Sequence, residues 1–339
     1  MIGGSTLESF MADFWLVIIG FFLLYYAVSD GFGLGVGILC LFSEKEEDQK
    51  MMMESVGYIW HTNQTWLVVV GGMLFGAFPL FYSILFSALY IPAVLMLLGL
   101  IFRGIAIDFH EHSRSHRLWA VTFGAGSLLA AIAQGLALGG LLSGINVQEG
   151  RFAGGVWDWA NPFSFLVSLG VLAGYLALGC NYLILKTEGD LQRRVRRYAL
   201  LFSAVTLILS AAVFLGVNLR YFHVGQKWLS VPEMFYMIAS PVPAAVGFVM
   251  IFRGLQKRKE VAPFFWNAVT VAFGFLALSI NMYPQMIPHL VSPVTIREAA
   301  ASLRTLLFML VVTGILIPIM LYYTMYTYRV FRGKVTVQG

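Results

Sequence analysis

The chain carries little charge for its length. Charged residues make up 12% of the 339 positions, whereas hydrophobic residues make up 59%. A soluble domain contains about 25% charged residues and roughly 45–50% apolar ones. The apolar excess recurs along the whole sequence, which excludes both a soluble domain and a soluble domain with one anchor. We therefore predict an all-α, polytopic integral membrane protein that forms a single domain over residues 1–339.

Cysteine is scarce, and so is histidine within the apolar runs. Cys40 and Cys180 lack CxxC spacing, which argues against a disulfide framework or a thiolate metal site. Of the six histidines, only His61 lies well inside an apolar run. A haem held across a helix bundle needs opposed His or Met ligands, and we interpret the fifteen methionines as core residues. We expect this chain alone to bind no haem and no metal.

Long apolar runs are abundant and predict nine membrane-spanning helices, because one span needs about 20 apolar residues. Phe78 and Pro79 separate the second and third spans so closely that an antiparallel hairpin is expected. A weak likeness between the early and middle thirds suggests two four-helix bundles plus one peripheral helix. The predicted spans are 12–42, 55–78, 82–107, 118–144, 162–186, 198–219, 235–254, 264–286 and 303–326.

The cations of the loops divide between the two sides that nine spans create. One side receives Lys45, Lys50, Arg114, Arg117, Lys186, Arg193, Arg194, Arg196, Arg197, Arg253, Lys257, Arg258, Lys259, Arg329, Arg332 and Lys334. The other side receives Arg151, Arg220, Lys227, Arg297 and Arg304. The positive-inside rule puts the richer side in the cytoplasm, with the N-terminus outside and the C-terminus inside. Cations confined to short loops also argue against a nucleic-acid partner, despite the net charge of +5.

Four ionisable residues lie in or at the ends of spans, all in the predicted cytoplasmic half: Asp30, His61, Arg103 and Asp108. A charge inside the bilayer costs several kcal/mol, so such residues are candidates for function. Carboxylates and imidazoles can pass protons, which makes these four the candidates for a proton pathway. Two other interpretations stay open. Arg103 and Asp108 could mark the membrane interface, and His61 could be a core histidine bonded to a carbonyl.

Two further patterns support packing. Residues 60–66 read WHTNQTW, and at 100° per residue His61 and Gln64 share a side while Asn63 lies opposite His61. One face of this helix could line a wet path while the other holds neighbouring helices.

Glycine occupies every second position from 31 to 37, a small-xxx-small spacing that lets helices approach closely. The supporting polar and packing residues are Trp60, Asn63, Gln64, Trp66, Gly31 and Gly35.

Several segments together resemble a known family over essentially the whole chain. They are YYAVSDGFGLGVGIL, IWHTNQTWLVVVGGMLFGAFPLFYS, LIFRGIAIDF, NPFSFLVSLGVLAGYLALGCNYLILKT and INMYPQMIPH. In order and spacing they resemble subunit II of the cytochrome bd quinol oxidases. The resemblance implies a respiratory enzyme of the bacterial cytoplasmic (inner) membrane that oxidises quinol and reduces dioxygen to water. It also implies that two b-type haems, one d-type haem and the quinol site belong to subunit I, the partner.

The resemblance also implies that subunit II acts as a scaffold for subunit I and supplies part of the cytoplasmic proton route. The resemblance leaves open a small single-helix accessory subunit and a quinone bound by subunit II. The chain departs from the pattern at His61, where relatives commonly carry an acidic residue, and at Gly33, where a second Asp is common. Two alternatives remain, a secondary transporter, although no inverted repeat is found, and a purely structural membrane partner with no proton role.

Overall fold

The structure is a computed structural model that describes residues 6–110, 115–220, 231, 233–239, 241–288 and 293–335. Two residues used in the sequence arguments, Arg114 and Lys227, lie outside these ranges. The described residues are overwhelmingly helical. Their helices are α1 Thr6–Leu41, α2 Glu46–Gly57, α3 Trp60–Ala77, α4 Pro79–Ala88, α5 Tyr90–His110, α6 His116–Ser143, α7 Pro162–Lys186, α8 Gly189–Arg220, α9 Glu233–Ala239, α10 Pro241–Gln256, α11 Val261–Met282, α12 Ile296–Ala299 and α13 Leu303–Val330.

The predicted class, a polytopic all-α membrane protein, is confirmed. Within the described ranges, eight helical segments are long and apolar enough to cross a bilayer. The pair α3 and α4 raises the number to nine when it is taken as one bent span. The two helices meet at a bend of 120° next to Phe78, so the chain turns sharply where the hairpin was predicted.

Two predicted spans are interrupted. The run 55–78 is divided because α2 ends at Gly57 and α3 begins at Trp60. The run 82–107 is divided at Leu89, between α4 and α5. The second break has a local cause, since the ring nitrogen of Pro92 cannot donate to the carbonyl of Ala88 four residues earlier.

Two small hairpins were not predicted. β1 (Val147–Gln148) pairs antiparallel with β2 (Arg151–Phe152), and β3 (Gln285–Ile287) pairs antiparallel with β4 (Val294–Thr295). Each strand has only two or three residues, so the hairpins close loops between helices and leave the helical class unchanged.

Helix α1 is the centre of the molecule, and every residue from Ser29 to Cys40 is buried. It packs against α3, α6 and α7. A Cβ atom on Gly35 would overlap the backbone carbonyl of Tyr175, and one on Gly31 would lie 2.6 Å from the ring of the same tyrosine. The helix that approaches α1 at Gly31 and Gly35, where the glycine spacing predicts close packing, is α7.

The helices pack on one another in a series of pairs, α5 on α6, α6 on α7, α7 on α8 and α10 on α11, with α1 against α3, α6 and α7. The arrangement as two four-helix bundles stays a prediction. Helix α13 is peripheral, because it contacts α3 and α1 and leaves most of its length exposed. Trp15 Nε1 donates to the carbonyl of Leu306 at 3.2 Å and ties the starts of α1 and α13 together.

Loops that the charge pattern assigns to the cytoplasmic side lie together at one end of the bundle. Arg194 at the start of α8 pairs with Asp48 of α2. Lys334, beyond α13, lies 3.1 Å from Glu188 and 2.9 Å from Glu260, both between helices. The chain positions of these residues match the alternation that nine spans require. That this end faces the cytoplasm stays a prediction from the positive-inside rule.

Candidate functional site

Asp30 and Arg103 form an ion pair in the interior. Arg103 Nη1 lies 2.6 Å from Asp30 Oδ1, and the two side chains are 1% and 0% exposed. Asp30 lies eleven residues before the end of α1, which is about 16 Å along the helix axis. Two opposite charges at this depth are tolerated because each compensates the other, whereas either alone would be costly. The pair joins α1 to α5.

Tyrosine and glutamine side chains extend this buried polar cluster. Gln134 Nε2 donates to the hydroxyl of Tyr26 at 2.8 Å, and the hydroxyl of Tyr175 donates to Gln134 Oε1 at 2.7 Å. Tyr26 also interacts with the carboxylate of Asp30. The cluster therefore links α1, α5, α6 and α7. Sequence reasoning missed these three residues, although an amide inside the apolar run of α6 was a usable signal.

The ion pair is not saturated with hydrogen bonds. Within the described residues, Asp30 Oδ2 and Arg103 Nε and Nη2 are buried and have no hydrogen-bond partner. The position of Gly33 explains part of this geometry, because a Cβ atom there would lie 2.6 Å from Arg103 Nη2. Gly33 therefore leaves the space that the guanidinium occupies.

The polar start of α3 splits into two faces. Asn63 is buried, donates from Nδ2 to the carbonyl of Ser29 at 2.7 Å, and accepts at Oδ1 from the hydroxyl of Tyr328 at 2.8 Å. Asn63 thus joins α1, α3 and α13. Its bond to Ser29 also places the first turn of α3 level with Asp30.

The two tryptophans belong to the buried face of α3. The ring of Trp60 fills the space in front of Gly104, where a Cβ atom would lie 2.8 Å away. Trp66 is fully buried and stacks on Phe22 of α1 with ring centroids 4.7 Å apart. The packing role proposed for both residues from the sequence agrees with these contacts.

His61 lies on the other face. It is exposed, as is Thr65 one turn later, whose hydroxyl donates to the His61 carbonyl at 2.7 Å, while Gln64 is half-buried. The imidazole stacks on the neighbouring Trp60, with ring centroids 3.6 Å apart. His61 therefore points away from the Asp30–Arg103 pair although it lies at the same depth.

Asp108 is also exposed, at the last turn of α5. It lines a surface cleft of about 280 Å³ together with Glu54, Tyr58 and His110. The cleft lies one helical turn beyond Gly104, which contacts Trp60. Asp108 and His61 therefore flank the same contact between α3 and α5, on the outer surface of the bundle.

The structure thus divides the four candidates into two pairs. Asp30 and Arg103 form a buried ion pair, whereas His61 and Asp108 lie on the exposed surface of α3 and α5. In the described part of the chain, no group of three or more His, Cys, Asp or Glu side chains is arranged to hold a metal ion.

The fold and this site define a polytopic helical membrane protein built around an intramembrane charge pair. Residues 11–331 match the family described as cytochrome bd terminal oxidase subunit II, and the chain belongs to that family. It is a subunit of an oxidoreductase complex that contains haem, and membership of subunit II implies a subunit I partner.

Curated relatives cover nearly the whole chain. The cytochrome bd-I ubiquinol oxidase subunit 2 of Escherichia coli (strain K12) is 29% identical over 95% of this chain and 94% of its own length. The cytochrome bd ubiquinol oxidase subunit 2 of Bacillus subtilis (strain 168) is 25% identical over 96% of each. These bacterial relatives and the many spans agree with an inner-membrane location.

A solved structure shares the fold. The bd oxidase from Geobacillus thermodenitrificans includes a chain that matches with a TM-score of 0.79 at 16% identity. The match covers 95% of this chain and 98% of that one. The predicted family resemblance is therefore confirmed by sequence and by fold.

Proposed function

We propose that this chain is the subunit of a quinol:dioxygen oxidoreductase that ligates no haem itself, and that it supports a haem-bearing subunit I. The bd oxidase family and the names of its ubiquinol oxidase relatives support this assignment. Two b-type haems, one d-type haem and the quinol site are assigned to the partner.

We further propose that His61 and Asp108 contribute to the cytoplasmic proton route, and one observation carries this step. His61 is an exposed imidazole at the depth of Asp30, on a helix whose neighbouring exposed residues include Val68 and Phe75. Ionisable side chains at such depth face a bundle interior or a wet path rather than lipid. A partner subunit that covers this surface of α3 would enclose His61, with Asp108 nearer the helix end as the first acceptor.

The buried pair receives a different role. Asp30 and Arg103 each neutralise the other, and their contact fixes the position of α1 against α5. We assign them as positioning residues that keep α1 and α5 in place behind the exposed face of α3. This assignment limits the proposed proton route to two of the four candidates, because the pair is buried whereas His61 and Asp108 are exposed.

The test compares His61→Ala with Thr65→Val, one turn along the same exposed face of α3. In the purified oxidase complex, His61→Ala should slow quinol-dependent oxygen consumption by about a hundredfold, the lower end of what a positioned proton-transfer group contributes. Thr65→Val should leave the rate of oxygen consumption unchanged. His61→Glu, which restores a titrating group, should recover much of the rate. Unchanged turnover of His61→Ala at normal haem content would refute the proton role and favour a purely structural subunit.

Capture of the complex through this chain tests the oxidase assignment itself. Haem absorption bands in the captured material would exclude the transporter alternative. Their absence from a complex that otherwise assembles would overturn the proposed oxidase function.

A further inference from the structure

A cleft at the start of α8 is basic and is not used by the proton route. It has a volume of about 370 Å³ and is lined by Asp190, Arg193, Arg194 and Arg197. It lies at the end of the bundle that the charge pattern assigns to the cytoplasm.

The carboxylates nearby neutralise only part of its charge. Arg193 pairs with Asp190, and Arg194 pairs with Asp48. Arg197 is exposed and has no ion pair with the described residues. Lys45 interacts electrostatically with Asp190 and adds a further cation beside the cleft. An excess of positive charge therefore remains for an anionic ligand.

An exposed apolar stripe begins directly below the arginines. At 100° per residue, Leu201, Ile208, Leu215 and Leu219 all lie within about 40° of Arg197 around α8. Their exposed fractions are 56%, 67%, 59% and 86%. From Arg197 to Ile208 the helix rises about 16 Å. This length is close to half of the roughly 30 Å hydrocarbon core of a bilayer, which is one leaflet.

We propose that this cleft and stripe bind one anionic phospholipid from the cytoplasmic leaflet. The phosphate contacts Arg193 and Arg197, and the acyl chains lie along Leu201 and Ile208. Arginine forms charge-assisted hydrogen bonds to phosphate oxygens, and basic pockets at cytoplasmic helix ends recognise anionic headgroups. A free phosphate would use the same arginines but would gain nothing from the stripe.

The test measures lipid bound to the delipidated oxidase complex by native mass spectrometry. The probes are dioleoyl phosphatidylglycerol, dioleoyl phosphatidylcholine and inorganic phosphate. The double variant Arg193→Gln/Arg197→Gln should bind phosphatidylglycerol about tenfold more weakly than the parent chain, since each basic residue near an anionic headgroup contributes severalfold. Its matched control is Arg253→Gln/Lys257→Gln, an exposed pair with the same spacing at the end of α10.

Three outcomes would overturn the proposal. These are equal binding of phosphatidylglycerol and phosphatidylcholine, equal loss in the control variant, and displacement of the phospholipid by millimolar inorganic phosphate. The last would identify a free-anion site. Haem content and the thermal unfolding midpoint check that the variants assemble. If the arginine variant fails to assemble, Ile208→Ser replaces it, and unchanged phosphatidylglycerol binding by that variant would contradict the acyl contact.

Discussion

Helices α1 and α13 are both long apolar spans, yet their surroundings are opposite. In the apolar stretch of each helix 33% of the residues of α1 and 6% of those of α13 are buried, and residues 29–40 of α1 are buried without exception. The buried segment holds four glycines and one carboxylate, and α13 instead presents large side chains such as Phe308, Ile315 and Tyr322 outward. Apolar character thus identifies a span, while small and polar residues identify which span lies at the centre.

The physical reason is that lipid and protein interior are about equally apolar. Burying leucine against another helix gains little over leaving it in lipid, so close packing and polar contacts decide which helices associate. Helix α1 offers both, through Gly35 against α7 and Asp30 against Arg103 of α5. Helix α13 offers few such contacts and stays at the edge.

The largest expected effect comes from filling the contact between α1 and α7. In Gly35→Val the new side chain would overlap the backbone of Tyr175, and two helices would have to separate. We expect little or no assembled complex, measured as haem-containing material recovered from detergent-solubilised membranes. The matched change on the other helix is Gly314→Val, where a Cβ atom meets nothing within 4 Å. Equal yields of the two variants would contradict the comparison.

A smaller but still large effect is expected from breaking the buried ion pair. Arg103→Leu leaves the Asp30 carboxylate uncompensated, which typically costs about 3–5 kcal/mol. The double variant Asp30→Leu/Arg103→Leu removes both charges and should recover much of that loss. The thermal unfolding midpoint of the purified complex measures both. A double variant that unfolds as early as Arg103→Leu would show that the pair does more than compensate charge.

The smallest effect is expected where the segment after α13 contacts the end of α7 and the loops that follow α7 and α10. Lys186 Nζ donates to the carbonyls of Phe331 and Gly333 at 2.5 and 3.0 Å, and the Val335 amide donates to the Lys186 carbonyl at 2.9 Å. Lys334 adds its contacts with Glu188 and Glu260. Hydrogen bonds from Lys334 and Gln192 hold the pKa of Glu260 below its usual 4.5, and its carboxylate raises the pKa of Lys334.

The stabilisation by Glu260 is therefore present above pH 4.5 and is lost as the pH falls through the lowered pKa. The stabilisation by Lys334 is present below pH 10.5 and is lost as the pH rises through the raised pKa of Lys334. A spin label at Arg332→Cys should be immobile at pH 7 and more mobile in acid. Because the pair is partly exposed, the effect should stay within about 1 kcal/mol. With Lys334→Gln added, the label should be more mobile at pH 7 than in the parent and should respond less to acid, although the contacts of Lys186 remain. Unchanged mobility at pH 7 would exclude a role of the Lys334 contacts.

The sequence predicted the parts of the structure that depend on local pattern. Apolar runs located the spans, the Phe78–Pro79 junction located the sharp turn, and the spacing of Gly31 and Gly35 predicted close packing. Helical periodicity places Asn63 and His61 on opposite faces of α3, and in the structure Asn63 is buried and His61 exposed. The break between α2 and α3 was not predicted, because it depends on which neighbours Trp60 and Asn63 contact.

The sequence predicted which residues belong to the site but not which of them contact each other. Burial cost marked Asp30 and Arg103, but their partnership spans 73 positions and follows from the packing of α1 on α5. The network through Tyr26, Gln134 and Tyr175 was missed for the same reason, since each residue alone is ordinary in a membrane helix. The proton role of His61 and Asp108 stays a prediction that the kinetic test addresses.

The distance along the chain between Asp30 and Arg103 has a consequence for biogenesis. Ribosomes extend chains from the N-terminus, so α1 leaves the ribosome before the arginine that will neutralise its carboxylate exists. Until α5 follows, the Asp30 carboxylate has no arginine to compensate it, so α1 must remain near the membrane surface or within the insertion machinery. The central helix of the finished protein therefore depends on a helix made later for a stable place in the bilayer.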